Sequence, residues 1–273
     1  MTSTSPAGAS SSTGAWTTEA GVRFDVITLF PELFAPHLVH GVTRRAFESG
    51  QVEVRLWQLR DFGDPPHARV DDRPYGGGPG MVLLGEPLLR ALAAVRADRG
   101  DAEPVPVVNF SPAGEPLRQD VVGEFAAGRG AILVCARYEG VDQRFLDRQV
   151  TLELSLGDFV LSGGEVPALA LLDAVARLQE GVLGDPESHR HDSFSDGLLE
   201  GPHYSRPERL PGAGGEVPDV LLSGNHAAIA RWRRERALET TSRRRPELIA
   251  AARAAGRLDP ADEHFLASLA LQL

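Results

Sequence analysis

Short apolar runs alternate with stretches of helical periodicity along most of the chain from residue 24 onward. The runs are rich in aliphatic and β-branched residues, which predicts five β-strands: Phe24–Leu29, Val52–Trp57, Val105–Phe110, Ala131–Cys135 and Val150–Leu154. Between and after them, apolar residues recur every three to four positions, which predicts helices at about 32–48, 86–98, 116–127, 142–148 and 166–180. Strands that alternate with helices need crossover connections. The pattern therefore predicts an α/β fold whose mostly parallel sheet has helices on both faces.

The pattern changes after Gly181. Residues 184–220 are rich in proline, glycine, histidine and acidic residues and contain no convincing long element, which is typical of a linker or a functional loop. Residues 221–273 read as several helices, whereas residues 1–20 are too rich in small polar residues to build a core. We therefore predict four parts: a disordered Ser/Thr-rich tail at 1–21, an α/β domain at 22–183, a linker at 184–205 and a small all-helical C-terminal domain at 206–273.

All 28 basic residues are arginines, and 38 acidic residues bring the formal charge to −10. The absence of lysine excludes Schiff-base lysines and lysine-dependent phosphate loops. The net charge alone argues against a nucleic-acid coat protein. However, residues 1–205 carry 17 arginines against 29 acidic residues, whereas residues 206–273 carry 11 against 9. The arginines at 231–236, which flank Trp232, and those at 243–245 predict contacts with RNA phosphates. An arginine cluster of this kind is more usually a solvated helix face.

The single cysteine, Cys135, excludes disulfide scaffolds and four-cysteine zinc sites, and it suits a reducing cytoplasm. No run reaches the roughly 18 apolar residues that a membrane span needs. The first residues also lack the basic and apolar regions of a signal peptide. We therefore expect a cytoplasmic protein without a membrane partner.

Three glycine-bearing loops are candidates for ligand binding. Residues 71–81 read DDRPYGGGPGM, which fits neither a lysine-containing phosphate loop nor a G-x-G-x-x-G fingerprint. Residues 132–142 and 155–168 each run from a strand through a polar, glycine-containing loop into a helix. Ligands bind at the carboxyl ends of parallel strands, where such loops gather. An ordinary turn explains one such loop well, but it explains three of them less well.

Two later segments favour other functions. The His-Arg-His-Asp run at 189–192 is a candidate metal site, although two histidines in a loop are more often only solvated. Gly224-Asn225-His226 is similar to an element of metallophosphoesterases, but Ala227 follows where an acidic residue is needed, and no Asp-x-His lies upstream. A helix with Ser223 or Asn225 as its N-cap explains this segment better. We therefore assign no metal ligand. A metallophosphoesterase and a non-catalytic RNA-binding protein remain as alternative functions.

Taken in order, these segments resemble the bacterial tRNA (guanine-N1)-methyltransferases of the SPOUT superfamily, which modify the guanine 3′ of the anticodon. The resemblance rests on ITLFPELF, DDRPYGGGPGM, RYEG, GDFVLSGGE, LLSGNHAAI and RRRPELI, and it covers nearly everything after the tail. Any one motif is weak, but their order and spacing together are highly specific. The resemblance implies a deep trefoil knot that binds S-adenosylmethionine, and a homodimer whose active site is shared between subunits.

The resemblance also implies the residues that bind the cofactor. They are Ser111, Pro112, Ala136, Tyr138, Glu139, Gly140, Leu156, Gly157, Asp158, Phe159, Val160, Leu161 and Gly163. Ala136 stands where the family usually has glycine, and its methyl group is tolerable if the backbone keeps a negative φ. Phe159 stands where tyrosine is common and lacks only the hydroxyl. Magnesium is also implicated in the family, with a carboxylate such as Glu139 as a candidate ligand that we leave unassigned.

The family's catalytic positions match Asp192, implied to be the general base, and Arg177, implied to stabilise negative charge on O6 of guanine. N1 of guanine carries a proton at neutral pH and becomes a nucleophile once that proton leaves. An ordinary aspartate has a pKa of about 3.9, so the proton transfer costs at least ~4 kcal/mol. One preorganised donor at O6 returns roughly 3–4 kcal/mol. Without the resemblance, Arg177 would be read as a cation at a helix C-terminus and Asp192 as a loop or N-cap residue.

The target base must leave its stack to meet the methyl group, which requires a grip on the surrounding RNA. The arginine clusters suit that task, and the resemblance implies contacts from both domains, with residues 184–205 ordering over the target. The implied tRNA-binding residues are Asp71, Gly78, Ser188, Arg206, Asn225, Arg231, Arg233 and Arg234.

Overall fold

The computed structural model describes residues 21–184, 192–210, 212 and 215–271. The chain divides into two compact units, with the boundary between Val182 and Leu183. Within the described residues, no helix combines the length and the apolar character needed to cross a membrane.

A five-stranded parallel sheet forms the centre of the first unit, and it confirms the predicted α/β class. Its strands, in spatial order, are β2 (Val52–Gln58), β1 (Val22–Thr28), β6 (Gly130–Val134), β5 (Val107–Pro116) and β7 (Leu152–Ser155). Every residue of β6 is buried, as expected for a central strand that is covered on both faces. A short antiparallel pair, β3 (Asp71–Asp72) and β4 (Val82–Leu83), flanks the glycine-rich loop and was not predicted.

Helices cover both faces of the sheet, because successive strand residues point to opposite sides. Phe24 and Val26 of β1 join one core cluster with the helices α4 (Gln119–Ala127) and α6 (Glu165–Arg177). Ile27 joins the opposite cluster with α3 (Gly85–Arg99) and α5 (Gln143–Gln149). The sheet therefore has two apolar faces, as the continuous apolar runs predicted.

Three of the helix predictions need correction. The predicted helix at 32–48 is instead a 3-10 turn (Pro31–Leu33) followed by two short helices, α1 (Ala35–Val39) and α2 (Arg44–Glu48). Gly41 adopts a left-handed φ of +77° between them, which ends the helical path. The helix predicted at 116–127 begins only at Gln119, because β5 continues to Pro116. The helix predicted at 166–180 ends at Arg177.

The second unit contains four described helices: α7 (Asp219–Leu222), α8 (His226–Arg244), α9 (Pro246–Ala254) and α10 (Pro260–Ala270). Leu198, Leu238, Ile249 and Ala252 form its small core. Asp259 caps α10 through its side chain, which accepts a hydrogen bond from the Asp262 amide at 2.7 Å. The described part of 192–210 forms turns and bends that precede these helices.

Candidate functional site

A cavity of about 410 Å³ opens at the carboxyl ends of β5, β6 and β7. Its walls come from the irregular part of β5 near Ser111, from the loop at 136–141 and from the loop at 156–164. All of the predicted cofactor residues except Asp158 line it: Ser111, Pro112, Ala136, Tyr138, Glu139, Gly140, Leu156, Gly157, Phe159, Val160, Leu161 and Gly163. The structure therefore brings three segments that are distant in sequence into one site, and Asp158 is exposed outside it.

The glycine-rich loop at 71–81 packs against the same site. Gly80 has a left-handed φ of +76°, and a Cβ there would lie 2.3 Å from Glu139 Oε1, so a side chain would be strained and would displace Glu139. The Glu139 amide donates to the Met81 carbonyl at 3.0 Å, and the Leu83 amide donates to the Gly140 carbonyl at 2.9 Å. The loop thus supports the cavity wall that carries Glu139.

The backbone of the wall at 136–141 is strained at one position and relaxed at another. Tyr138 adopts a left-handed φ of +60°, which is uncommon for a residue with a side chain and is typical of functional sites. Ala136, by contrast, is not among the described non-glycine residues with positive φ. Its methyl group is therefore tolerated at the position where the family usually has glycine.

The cavity also has polar lining residues that the sequence motifs did not predict. Asn109 of β5 and Glu153 of β7 are register partners, and Asn109 Nδ2 donates to Glu153 Oε1 at 2.8 Å. Both residues line the cavity together with Ser155. A polar residue within each of two apolar strand runs was the signal that could have identified them.

A buried ion pair lies beneath the wall. The Glu165 side chain is only 1% exposed, and its Oε2 lies 2.9 Å from Arg137 Nε. Thr28 Oγ1 donates to Glu165 Oε1 at 2.8 Å. Burial raises the pKa of the neighbouring Cys135 thiol, and the negative charge of Glu165 raises it further. Arg137 lines the cavity, whereas Glu165 does not.

The two predicted catalytic residues lie in different units of the chain. Arg177 is half-buried and is the last residue of α6, where a cation also suits the helix C-terminus. Asp192 is half-buried and belongs to the second unit, where its carbonyl accepts a hydrogen bond from the Ser195 amide at 3.2 Å. The predicted tRNA contact Ser188 lies outside the described residues.

The predicted tRNA contacts in the first unit lie together. Asp71 pairs with Leu83 in the β3–β4 ladder, and Gly78 lies in the loop between those strands. This loop is the same one that supports Glu139.

The predicted tRNA contacts of the second unit have unequal surroundings. Arg231 Nη1 contacts Asp262 Oδ1 at 3.1 Å, and Arg234 Nη2 contacts Asp262 Oδ2 at 2.8 Å. The Asp262 side chain is 2% exposed, so both arginines are engaged in holding α8 against α10. Arg206 and Arg233 are exposed. Sequence spacing had grouped Arg231, Arg233 and Arg234 together, but the structure separates their surroundings.

The Gly-Asn-His segment begins a helix. Asn225 is the N-cap of α8, and its Oδ1 accepts a hydrogen bond from the Ala228 amide at 3.2 Å. His226 is exposed. Among the residues that the structure describes, no three metal-ligating side chains come together. The His-Arg-His part of the candidate metal site at 189–192 lies outside those residues.

Comparison with known proteins gives one consistent result. A family model described as tRNA (Guanine-1)-methyltransferase TrmD matches residues 22–251. A tRNA (guanine-N(1)-)-methyltransferase of Leptothrix cholodnii is 68% identical over 251 residues, which cover 92% of this chain and 100% of that protein. Proteins of the same name from Methylibium petroleiphilum and Bordetella pertussis are 68% and 56% identical, over 91% of this chain and 98% of each relative. The similarity therefore spans both units.

Proposed function

Because the chain belongs to the tRNA (guanine-1)-methyltransferase family, we propose that it transfers a methyl group from S-adenosylmethionine to N1 of the guanine 3′ of the anticodon. The chain is a tRNA (guanine-N1)-methyltransferase. We propose further that S-adenosylmethionine is the methyl donor, that the guanine 3′ of the anticodon is the target base, and that Asp192 and Arg177 are the catalytic residues. The observation that carries the proposal is the family match over residues 22–251, which includes every loop that lines the cavity.

The cavity suits S-adenosylmethionine in size and chemistry. Its volume of about 410 Å³ falls within the range of roughly 300–1,000 Å³ that small-molecule sites occupy. Leu156 and Leu161 supply apolar surface, Asn109 and Ser155 supply hydrogen-bonding groups, and Glu139 supplies a carboxylate for a cationic ligand. The cavity-lining residues named above would hold the cofactor. When bound, it supplies a methyl group on a positively charged sulfur.

We assign the proton transfer to Asp192 and the electrostatic stabilisation to Arg177. A carboxylate of Asp192 removes the N1 proton, and the negative charge that then develops on O6 meets the guanidinium of Arg177. The guanidinium offsets roughly 3–4 kcal/mol of a transfer that costs at least ~4 kcal/mol. Arg177 and Asp192 act together in a homodimer whose active site is shared between the subunits.

The remaining parts of the proposal follow the family. Residues 22–183 form a deep trefoil knot, residues 184–205 are an active-site loop, and residues 206–273 are a helical tRNA-binding domain. The exposed Arg206 and Arg233 are the best candidates for phosphate contacts, with Asp71, Gly78, Ser188, Asn225, Arg231 and Arg234 as further tRNA contacts. A carboxylate such as Glu139 is a candidate ligand for magnesium, and we leave that ligand unassigned.

The decisive experiment is methylation of a tRNA that carries guanine 3′ of its anticodon. With S-adenosylmethionine, the protein should form N1-methylguanine, detected by mass spectrometry, and a tRNA with adenine at that position should give none. Absence of product from folded protein would sink the proposed activity. A protein that only binds the tRNA would support the non-catalytic alternative, and metal-dependent hydrolysis of phosphoesters would support a metallophosphoesterase.

The Asp192→Asn variant tests the general base. It should lose turnover by about 10²–10⁴-fold, because an amide cannot take the N1 proton. Its affinity for S-adenosylhomocysteine, measured by isothermal titration calorimetry, should stay unchanged. Asp120→Asn is the matched control, since it removes one exposed carboxylate from α4, and its turnover should equal that of the unaltered protein. Turnover near the unaltered level in Asp192→Asn would remove Asp192 from the role of base.

A further inference from the structure

The first turn of α6 carries a carboxylate that is almost completely buried. A glutamate near a helix N-terminus interacts favourably with the helix dipole, but that interaction does not require the side chain to be buried. Glu165 is 1% exposed, and burial of a charge is costly unless the charge is paired and hydrogen-bonded. Thr28 Oγ1 donates to it at 2.8 Å, and the same hydroxyl accepts from the Phe30 amide at 3.0 Å. Glu165 therefore fastens the start of α6 to the end of β1.

Arg137 extends this contact into both loops of the cavity wall. Its Nε lies 2.9 Å from Glu165 Oε2 in an ion pair without hydrogen-bond geometry, and its Nη1 donates to the carbonyl and the hydroxyl of Ser162, each at 3.3 Å. The guanidinium lies 4.6 Å from the centre of the Phe30 ring. We call these residues the Glu165 cluster: Thr28, Phe30, Arg137, Ser162 and Glu165.

The two loops approach each other closely at the cluster. The Gly164 amide donates to the Ala136 carbonyl at 2.9 Å. A Cβ on Gly163 would lie 2.4 Å from Arg137 Nε and 2.7 Å from Glu165 Oε2. Arg137, Ser162, Gly163 and Gly164 all line the cavity, whereas Glu165 lies behind them. Any effect of Glu165 on a ligand must therefore pass through its partners.

We propose that Glu165 is a positioning residue for cofactor binding: its buried carboxylate fixes Arg137, Arg137 fixes Ser162, and the loops at 136–141 and 156–164 thereby keep the shape of the cavity before a ligand arrives. Binding to a preorganised wall avoids the cost of ordering these two loops. The identity of the ligand rests on the proposed function, whereas the role of the cluster in fixing the loops does not.

Cys135 provides a native probe of the cluster. It is the only cysteine of the chain and is 1% exposed. A Cβ on Gly164 would lie 2.8 Å from Cys135 Cα, so the thiol-bearing residue is packed directly behind the loop that the cluster holds. Its modification by a disulfide reagent should be slow while the loops are held and faster when they separate. This measurement needs no cofactor.

Two variants interrupt the cluster at different points. Glu165→Gln removes the charge that Arg137 needs but keeps an oxygen that can accept from Thr28 Oγ1. Arg137→Lys keeps a cation for Glu165 but loses the planar fork that reaches Ser162 at the same time. We expect each variant to weaken S-adenosylhomocysteine binding by about tenfold or more, measured by isothermal titration calorimetry. We expect Cys135 modification to accelerate several-fold in Arg137→Lys, which keeps both charges near the thiol. Glu165→Gln also removes the negative charge that raises the pKa of the thiol, so its modification rate does not test the loops.

The matched controls lie at another buried ion pair in the same unit of the chain. Asp25 is fully buried and contacts Arg99 Nη1 at 2.7 Å, and neither residue lines the cavity. Asp25→Asn and Arg99→Lys repeat the same two exchanges there. Both should lose thermal stability and keep their affinity for S-adenosylhomocysteine. This combination separates positioning from a general loss of stability.

The double variant should bind no more weakly than the single variants, because residues that act as one unit have non-additive effects. Affinity within twofold of the unaltered protein in Glu165→Gln, or losses that add in the double variant, would overturn the proposal. If Glu165→Gln does not fold, Arg137→Lys decides by the same measurements. If the unaltered protein itself does not bind S-adenosylhomocysteine, the proposed function fails, and the Cys135 rates still decide whether the cluster holds the loops.

Discussion

Asp25 and Glu165 are both buried carboxylates that contact β1, but their partners hold different kinds of structure together. Asp25 lies within β1 and is contacted by Arg23 at 2.8 Å, by Arg99 at 2.7 Å and by Trp57 Nε1 at 2.8 Å. These partners belong to β1, the last turn of α3 and β2. The partners of Glu165 lie at the end of β1 and in the loops around the cavity. The Asp25 carboxylate joins regular elements only, whereas the Glu165 carboxylate joins a helix start and a strand end to a loop of the cavity wall.

The two sites also differ in how completely the charges are enclosed. The Arg99 side chain is 3% exposed, whereas the Arg137 side chain is 20% exposed and lines the cavity. Water can therefore reach Arg137 when its partner is lost, but it cannot reach Arg99. We infer that the ion pair of Asp25 stabilises the fold, whereas the ion pair of Glu165 maintains the shape of the cavity.

The largest expected effect is that of Asp25→Asn on stability. Loss of one partner from a buried ion pair typically costs about 3–5 kcal/mol. We expect the lower end of that range here, because Arg99 keeps its contact with Asp101 and Arg23 keeps its contact with Asp98. We expect a decrease of that size in the free energy of unfolding, measured by urea denaturation and circular dichroism. Glu165→Gln should cost less, since Arg137 can be hydrated. Equal losses at the two sites would contradict the distinction between them.

A third buried carboxylate, in the second unit, adds a dependence on pH. Burial alone would raise the pKa of Asp262, but hydrogen bonds and charge from Arg234, the Asp259 amide and the charge of Arg231 leave it below its ordinary value. A depressed pKa in the folded state stabilises the protein fully above the unfolded pKa of about 3.9, and the stabilisation disappears as the pH falls through the folded value. We therefore expect the stability that the Asp262 charge contributes at neutral pH to be lost in acid.

Thermal unfolding followed by circular dichroism between pH 7 and pH 2.5 checks this expectation. Asp262→Asn should lower the melting temperature at pH 7 and should match the unaltered protein more closely at the acid end. A difference between the two proteins that stays constant over this range would contradict the role of the Asp262 charge.

The smallest expected effects concern the neutral donors of the two sites. Thr28→Val removes the hydroxyl that donates to Glu165, and Trp57→Phe removes the indole N–H that donates to Asp25. Each change should cost about 1.5–3 kcal/mol of stability, because the acceptor is a buried carboxylate. Only Thr28→Val should also weaken S-adenosylhomocysteine binding, by a few-fold. Weaker binding in Trp57→Phe would show that affinity follows stability at both sites.

Local patterns predicted most of the fold. The five strands were identified because each is a short apolar run, and β-strands that are covered on both faces have this composition. The cavity residues were identified through motifs, since each wall segment is contiguous in sequence. The prediction of one helix at 32–48 was wrong. The apolar spacing continues through this segment, but Gly41 adopts a left-handed φ that ends the first helix.

Contacts between distant residues were not predictable from spacing. Asn109 and Glu153 meet because β5 and β7 are neighbours in the sheet, although the two residues are 44 positions apart. Arg231 and Arg234 seemed to belong to one RNA-binding cluster until Asp262, 31 and 28 positions away, was found between them. Arginines that look equivalent in the sequence of a helix differ in their ion pairs, and those pairs depend on which residues pack against the helix.

The amino-acid order thus established the α/β class, the positions of the loops and the membership of a methyltransferase family, because strand patterns and motifs are local properties of the chain. The tertiary structure alone identified which arginines are engaged in ion pairs and which carboxylates are buried. Thr28 and Glu165 are separated by 137 positions, and only the folded sheet brings them to 2.8 Å. Burial and charge pairing depend on such contacts, and no periodicity along the chain records them.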